Sequence, residues 1–291
     1  MRRTVWIAFL ALLASACGFP LHGEQVSFST IDAAPDWSPD GRLIAFASDR
    51  GLGGIGIYVI RPDGSGLRQL FRGVASDVDW SPDGRRLVFV GTDGIYVVRK
   101  EGGRPMRVLR GGRFSYPAWA PDGRELAVVK EKRDFTTGVY IVNVDGSGIR
   151  RLTSLHLSAA SEPTWSPDGH QIAVQSGSDR IVAVRIADGR RRRVTDVESF
   201  SPAWSPDGRL IAFHCSDAND LCVANADGSG DVRRVAPDGG NPSWAPDSRR
   251  IVFDVYRFRG HFIKAARSLS LVNADGTDLQ KLTFGPELGP G

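Results

Sequence analysis

Residues able to do chemistry are few and scattered along this chain. The five histidines (His22, His156, His170, His214 and His261) show no spacing that would bring two of them to one metal ion. Cys17, Cys215 and Cys222 form no zinc-binding pair pattern. No Gly-x-Ser-x-Gly elbow is present, so a hydrolase would lack its nucleophile. Acids recur instead. Asp40, Asp83, Asp122, Asp168, Asp207 and Asp247 each follow a Pro and precede a Gly or Ser. Asp in that setting bonds back to the backbone and builds a turn, so these read as turn formers rather than catalytic acids. The stretch Asn225–Asp231 has the oxygen-rich character of a calcium loop but lacks the Glu that would complete one. The expectation is a protein with no metal, no cofactor and no enzymatic constellation.

Composition narrows the partners. Lys and Arg number 37 against 33 Asp and Glu, a net charge of +4, and two of those cations lie in the first three residues. Nucleic-acid binding needs a concentrated basic face, so none is expected. The basic run Arg190–Arg193 reads as a solvated rim, with polyanion binding as a lesser alternative. The 34 Gly and 17 Pro suit a chain with many tight turns.

The N-terminus reads as an export signal over residues 1–16. Arg2 and Arg3 precede the apolar run Thr4–Leu13, too short to span a bilayer as a helix. Ala14-Ser15-Ala16-Cys17 follows. The small residues fit a signal-peptidase site, and the Cys after them resembles a lipobox, with Ala14 where Leu is usual. Two readings stay open: lipidation of Cys17, or soluble export. Several acyl chains on Cys17 would anchor the protein to a membrane. If Cys17 takes lipid, Cys215 and Cys222 are left as a pair flanking a turn-like stretch. Directly opposed hairpin residues lie within disulfide reach, and an oxidising compartment would let the bond form; two free thiols are the other reading.

A repeat dictates the architecture. Six of the seven Trp residues (Trp37, Trp80, Trp119, Trp165, Trp204 and Trp244) begin a Trp-Ser/Ala-Pro-Asp-Gly/Ser motif, spaced 43, 39, 46, 39 and 40 residues apart. A second motif follows each, as in IYVIRPDGSG from Ile57 and LCVANADGSG from Leu221. Pro presets the first corner of the turn, Asp bonds the backbone and Gly accepts positive φ. The sixth copy has Ser248 in place of Gly, which predicts a looser or different turn. Apolar alternation after each turn indicates half-buried strands, four per unit. One such sheet cannot cover both faces; radial packing can, with each Trp supplying inter-sheet area. The expected fold is all-β, a six-bladed β-propeller of four-stranded antiparallel blades over residues 31–291. Residues 17–30 would form a tether, in which Gln25–Thr30 alternates like a strand that could clasp the last blade.

These repeats resemble those of TolB-family propellers, also called WD-repeat-like or PD-type repeats, over about residues 30–284. The α/β domain that precedes the propeller in TolB is expected to be absent, since only some 20 residues separate Cys17 from the first repeat. Such propellers hold partner proteins at the cell envelope. The resemblance therefore implies a protein or peptide partner and a periplasmic or outer-surface location.

The repeated turns share one end of the disc, which reads as a structural rim; the variable connections occupy the other, where function usually sits. Three residues before each Trp stand Ala34, Asp77, Tyr116, Glu162, Ser201 and Asn241. They should ring the mouth of the central channel, either as a polar ligand site or as a solvated lining. The connection Asp254–Ser268 mixes Tyr256, Phe258 and Phe262 with Arg257, Arg259 and His261. It is either a partner loop or an extended hairpin packing its aromatics on a neighbour. The function that follows is an exported, lipid-anchored, monomeric propeller scaffold binding a protein or peptide at the envelope. The alternative is a lyase-like or glycosidase-like enzyme, or a carbohydrate-binding propeller, with its site at the channel mouth.

Overall fold

A computed structural model describes residues 31–51, 54–111, 113–132, 136–153, 162–176, 180–215, 219–257 and 266–283. These residues contain no helix. They form six antiparallel sheets of four strands each, and every sheet takes its strands in chain order. Blade 1 comprises Asp32–Trp37, Ile44–Ser48, Gly56–Ile60 and Arg68–Phe71. The other blades run from Ser76 to Arg110, Arg113 to Arg151, Thr164 to Arg193, Ser199 to Ala236 and Gly239 to Lys281. Gln25–Thr30 lies outside the described residues.

The repeated turn works as its chemistry predicts. In blade 1 the Ser38 hydroxyl donates to Asp40 Oδ1 at 2.6 Å and accepts the Leu43 N–H at 2.9 Å. Asp40 Oδ1 also accepts the Arg42 N–H at 3.1 Å, and Gly41, at φ 70°, donates its N–H to Ser38 O at 2.8 Å. Ser248 departs from expectation. It adopts φ 57° and donates its N–H to Ala245 O at 2.9 Å, so the sixth turn closes as the others do. Its hydroxyl accepts the Asp207 N–H of blade 5 at 3.0 Å, a bond that glycine could not make.

The core is divided among the six interfaces between blades. Trp80 packs with Ala45, Ile57 and Val59 of blade 1, and Trp204 with Ala173, Ile181 and Ala183 of blade 4. Each Trp is thus wedged against the preceding blade. Trp37 packs with Val252, Leu269 and Leu271 of blade 6, which closes the ring.

A hydrogen bond crosses every interface beside its Trp. Asp36 Oδ2 accepts the Trp80 N–H and Asp79 Oδ2 the Trp119 N–H, both at 2.7 Å. Thr164 Oγ1 accepts the Trp204 N–H at 3.3 Å, and Ser243 Oγ the Trp37 N–H at 3.2 Å. At two blades the residue before Trp is Ala and has no side-chain acceptor. There the next indole donates instead to the Ala118 or Ala203 carbonyl, at 3.2 and 3.0 Å.

Cys215 and Cys222 are joined, with Cα atoms 6.0 Å apart. They are not directly opposed. Cys215 faces Asp220 and Cys222 faces Phe213, so the bridge runs along a diagonal of the hairpin.

Candidate functional site at the channel mouth

The first strand of each blade is innermost: it pairs only with the second strand, and first strands of neighbouring blades touch one another. Five of these strands carry the same irregularity. Ala34, Asp77, Tyr116, Ser201 and Asn241 have φ between 44° and 50°, each within a break of register against the second strand. The extra residue is a β-bulge, which bends a strand and re-aims a side chain. A non-glycine residue in this left-handed region carries conformational strain, and the same break recurs in five blades. Blade 4 breaks the pattern. Its first strand is only Thr164–Trp165, and Glu162 stands half-buried just before it.

Hydrogen bonds link these residues across blades. Ser201 Oγ donates to Asn241 Oδ1 at 3.0 Å, and Asn241 Nδ2 donates to Asp254 Oδ2 at 2.8 Å. The same Asp254 oxygen accepts the Ala34 N–H at 3.4 Å. Asp77 accepts the Ser76 hydroxyl at 3.2 Å and the Tyr116 backbone N–H. Asp77, Tyr116, Ser201 and Asn241 therefore form two bonded groups, Asp77 with Tyr116 and Ser201 with Asn241.

Burial raises the Asp77 pKa to about 6, against the pull of its two donors. Asp36 and Asp79, one layer further in, are also pushed up, chiefly by burial; the negative charge of Asp36 raises Asp79 further. Desolvation disfavours the charged form in all three. Among the described residues no group of three His, Cys, Asp or Glu could hold a metal ion.

Asp254 escaped the sequence reading as a mouth residue. It belongs to the second strand of blade 6, Arg250–Arg257, is fully buried, and pairs in register with Leu269. The connection placed at Asp254–Ser268 is shorter than expected, because hairpin pairing continues to Arg257 and Ala266. Tyr256 and Arg257 end that strand. Phe258, Arg259, His261 and Phe262 lie outside the described residues, as does Cys17.

The TolB beta propeller domain family matches residues 109–285, more than half of the chain. The chain belongs to that family. No curated protein sequence matches it. Among solved structures, this TolB-family propeller is similar to TolB from Agrobacterium tumefaciens, with 23% identity and a TM-score of 0.67. That match covers 76% of this chain and 86% of the other. TolB from Acinetobacter baumannii matches at 18% identity and TM-score 0.70, covering 94% of this chain and 67% of that one. A gluconolactonase from Xanthomonas campestris matches at 17% identity and TM-score 0.62, covering 88% and 87%. These likenesses show the propeller fold, which TolB shares with a gluconolactonase.

Proposed function

We propose that this TolB-family propeller is an exported, lipid-anchored, non-enzymatic scaffold that takes a protein or peptide partner at the cell envelope. Its variable end would be the working end, with the channel mouth at the centre. The observation that carries this reading is a ring of five left-handed positions around one opening, four of them polar, with hydrogen bonds that cross between blades 2 and 3, 5 and 6, and 6 and 1. Such a ring presents fixed donors and acceptors to an incoming chain end, at little ordering cost. A basic side chain or terminal amine beside Asp77 would stabilise its charged form, so binding would release a proton near pH 6. The enzyme alternative draws support from the fold alone. Asp36 and Asp79, whose carboxylates feel each other's charge, each accept a tryptophan N–H of the next blade.

Affinity capture from envelope extract tests the reading. Partners recovered by the wild-type chain should be lost with Asp77→Asn combined with Asn241→Ala, and retained when Ser229 on the opposite rim is changed to Ala. Replacing residues 258–265 by a short Gly-Ser link reports on the partner loop separately. A partner bound equally by all variants would remove the mouth and the loop from the proposal. Cys17→Ser should release the protein from membranes if the acyl anchor forms.

A further inference from the structure

The end of the disc that carries the repeated turns does more than close hairpins. Among the described residues four large apolar side chains are exposed: Leu67 at 42%, Met106 at 54%, Ile149 at 44% and Leu279 at 53%. They are not scattered. Leu67, Ile149 and Leu279 each immediately precede the first residue of a fourth strand, and Met106 is the first residue of one. All four therefore stand on the turn between third and fourth strands, at one end of the disc, in blades 1, 2, 3 and 6. Single exposed apolar residues need no explanation, but a set repeated at one level of a ring does.

The charge excess of the chain gathers in the same turns. The six turns between third and fourth strands, residues 61–68, 99–107, 143–151, 185–193, 225–233 and 273–281, hold 15 Arg or Lys against eight Asp or Glu, an excess of seven where the whole chain has four, and the excess lies in blades 1 to 4. The turns that follow the tryptophans add nothing to it: residues 38–43, 81–86, 120–125, 166–171, 205–210 and 245–250 hold seven of each sign. Between blades 1 and 2 the cations meet in a groove of about 390 Å³, lined by Arg42, Arg61, Arg68 and Lys100 with Asp40 and Glu101. The Ser38 hydroxyl and the Arg42 N–H hold Asp40 ionised, so four cations stand against two carboxylates and the groove keeps a positive excess.

We propose that this end of the disc is an interfacial surface for an anionic lipid bilayer. The apolar tips enter the headgroup boundary while neighbouring Arg and Lys meet lipid phosphates, the two contributions that make a surface segment partition into a membrane. The pairing of apolar and basic residues is what favours lipid over nucleic acid, which would reward the cations alone. Docked this way, the propeller turns its channel mouth away from the membrane. The inference stands apart from acylation of Cys17 and from the identity of any partner.

The test uses the chain with Cys17→Ser, so that no acyl group contributes. It is sedimented with vesicles of phosphatidylcholine alone and with vesicles rich in phosphatidylglycerol. Binding is expected to the anionic vesicles only, weakening as salt is raised. The combined change Leu67→Ser, Met106→Ser, Ile149→Ser and Leu279→Ser should weaken partition by roughly tenfold or more, as should Arg61→Glu with Arg68→Glu and Lys100→Glu. Both sets lie on exposed positions, and an unchanged melting temperature confirms that the disc is intact. Absence of vesicle binding overturns the proposal. So does vesicle binding by the apolar quadruple variant at wild-type strength, or a short DNA duplex that competes as well against that variant as against wild type.

Discussion

At the scale of single residues, the tryptophans were legible because their neighbours leave them little choice. A large apolar ring directly before Ser-Pro-Asp-Gly must end a strand, and radial packing gives it a place to go. Trp204 shows the result, with its ring against Ala173, Ile181 and Ala183 and its indole N–H donated to Gly208 O at 3.1 Å. Trp204→Ala should cost about 3–5 kcal/mol in urea unfolding, as for other large core truncations. A loss under about 1 kcal/mol would mean that the ring carries no wedge. The acids were harder to read. Asp40 and Asp36 lie four residues apart, and only the structure shows that one shapes an exposed turn while the other bonds across a blade interface. Their titration also differs. Ser hydroxyls hold Asp40, Asp83 and Asp168 below the usual carboxylate range, so their stabilisation is lost only as pH falls through that low range. Asp77 goes the other way. Its folded pKa of about 6 exceeds the unfolded value, so the stability it confers is complete below about pH 4 and is lost as pH rises through 6. Asp77→Asn keeps an acceptor for the Tyr116 N–H and cannot ionise. It should be more stable than wild type by about 1–3 kcal/mol at pH 8 and nearly equal to it at pH 4. The same offset at both pH values would show that burial of the charge is not the cause.

At the scale of the element, hairpins and turns followed from Pro, Asp and Gly at fixed offsets, but the bulge before five of the six Trp residues did not. Nothing local requires it, since Ala34, Asp77, Tyr116, Ser201 and Asn241 have no residue type in common. The available signal was the opposite of a repeat: one position whose chemistry varies while everything around it stays fixed. Tertiary packing imposes the conformation, because the innermost strands must turn past one another near the axis. Ala34, at φ 49°, gives the cleanest test, as its side chain is short. Ala34→Gly should hold or raise stability by up to about 1 kcal/mol, and Ala34→Val should lower it by about 1–3 kcal/mol, both by urea unfolding. If valine is tolerated as well as glycine, the position is unstrained. The longer hairpin of blade 6 has a related lesson. Charged and aromatic residues between Asp254 and Ser268 read equally as a partner loop or as an extended hairpin, and pairing does continue through Tyr256 and Arg257, in register with Arg267 and Ala266.

At the scale of the whole molecule, six motif pairs predicted six blades, but not how the first meets the last. The answer lies in residues of ordinary appearance. Ser243 Oγ donates to Asp36 Oδ1 at 2.8 Å and accepts the Trp37 N–H at 3.2 Å, joining positions more than 200 residues apart. Ala245, Val252, Leu269 and Leu282 cover the Trp37 ring from the other side of the same seam. The seam repeats the contact made at the other interfaces, so the ring can close by side chains and sheet packing between blades that are each complete. Ser243→Ala should therefore act on closure itself. It removes a donor from a carboxylate that burial already disfavours and leaves a strand-end N–H without its acceptor, a loss of about 1–3 kcal/mol. Ser65→Ala, in an exposed turn of blade 1, supplies the comparison and should change stability by less than about 0.5 kcal/mol. Because Asp36 is easier to keep neutral than charged, the Ser243→Ala deficit should grow as pH rises from 5 to 8 in parallel urea titrations. A deficit independent of pH would assign the seam to the Trp37 N–H alone, and no deficit at all would mean that the disc is held closed by its apolar contacts.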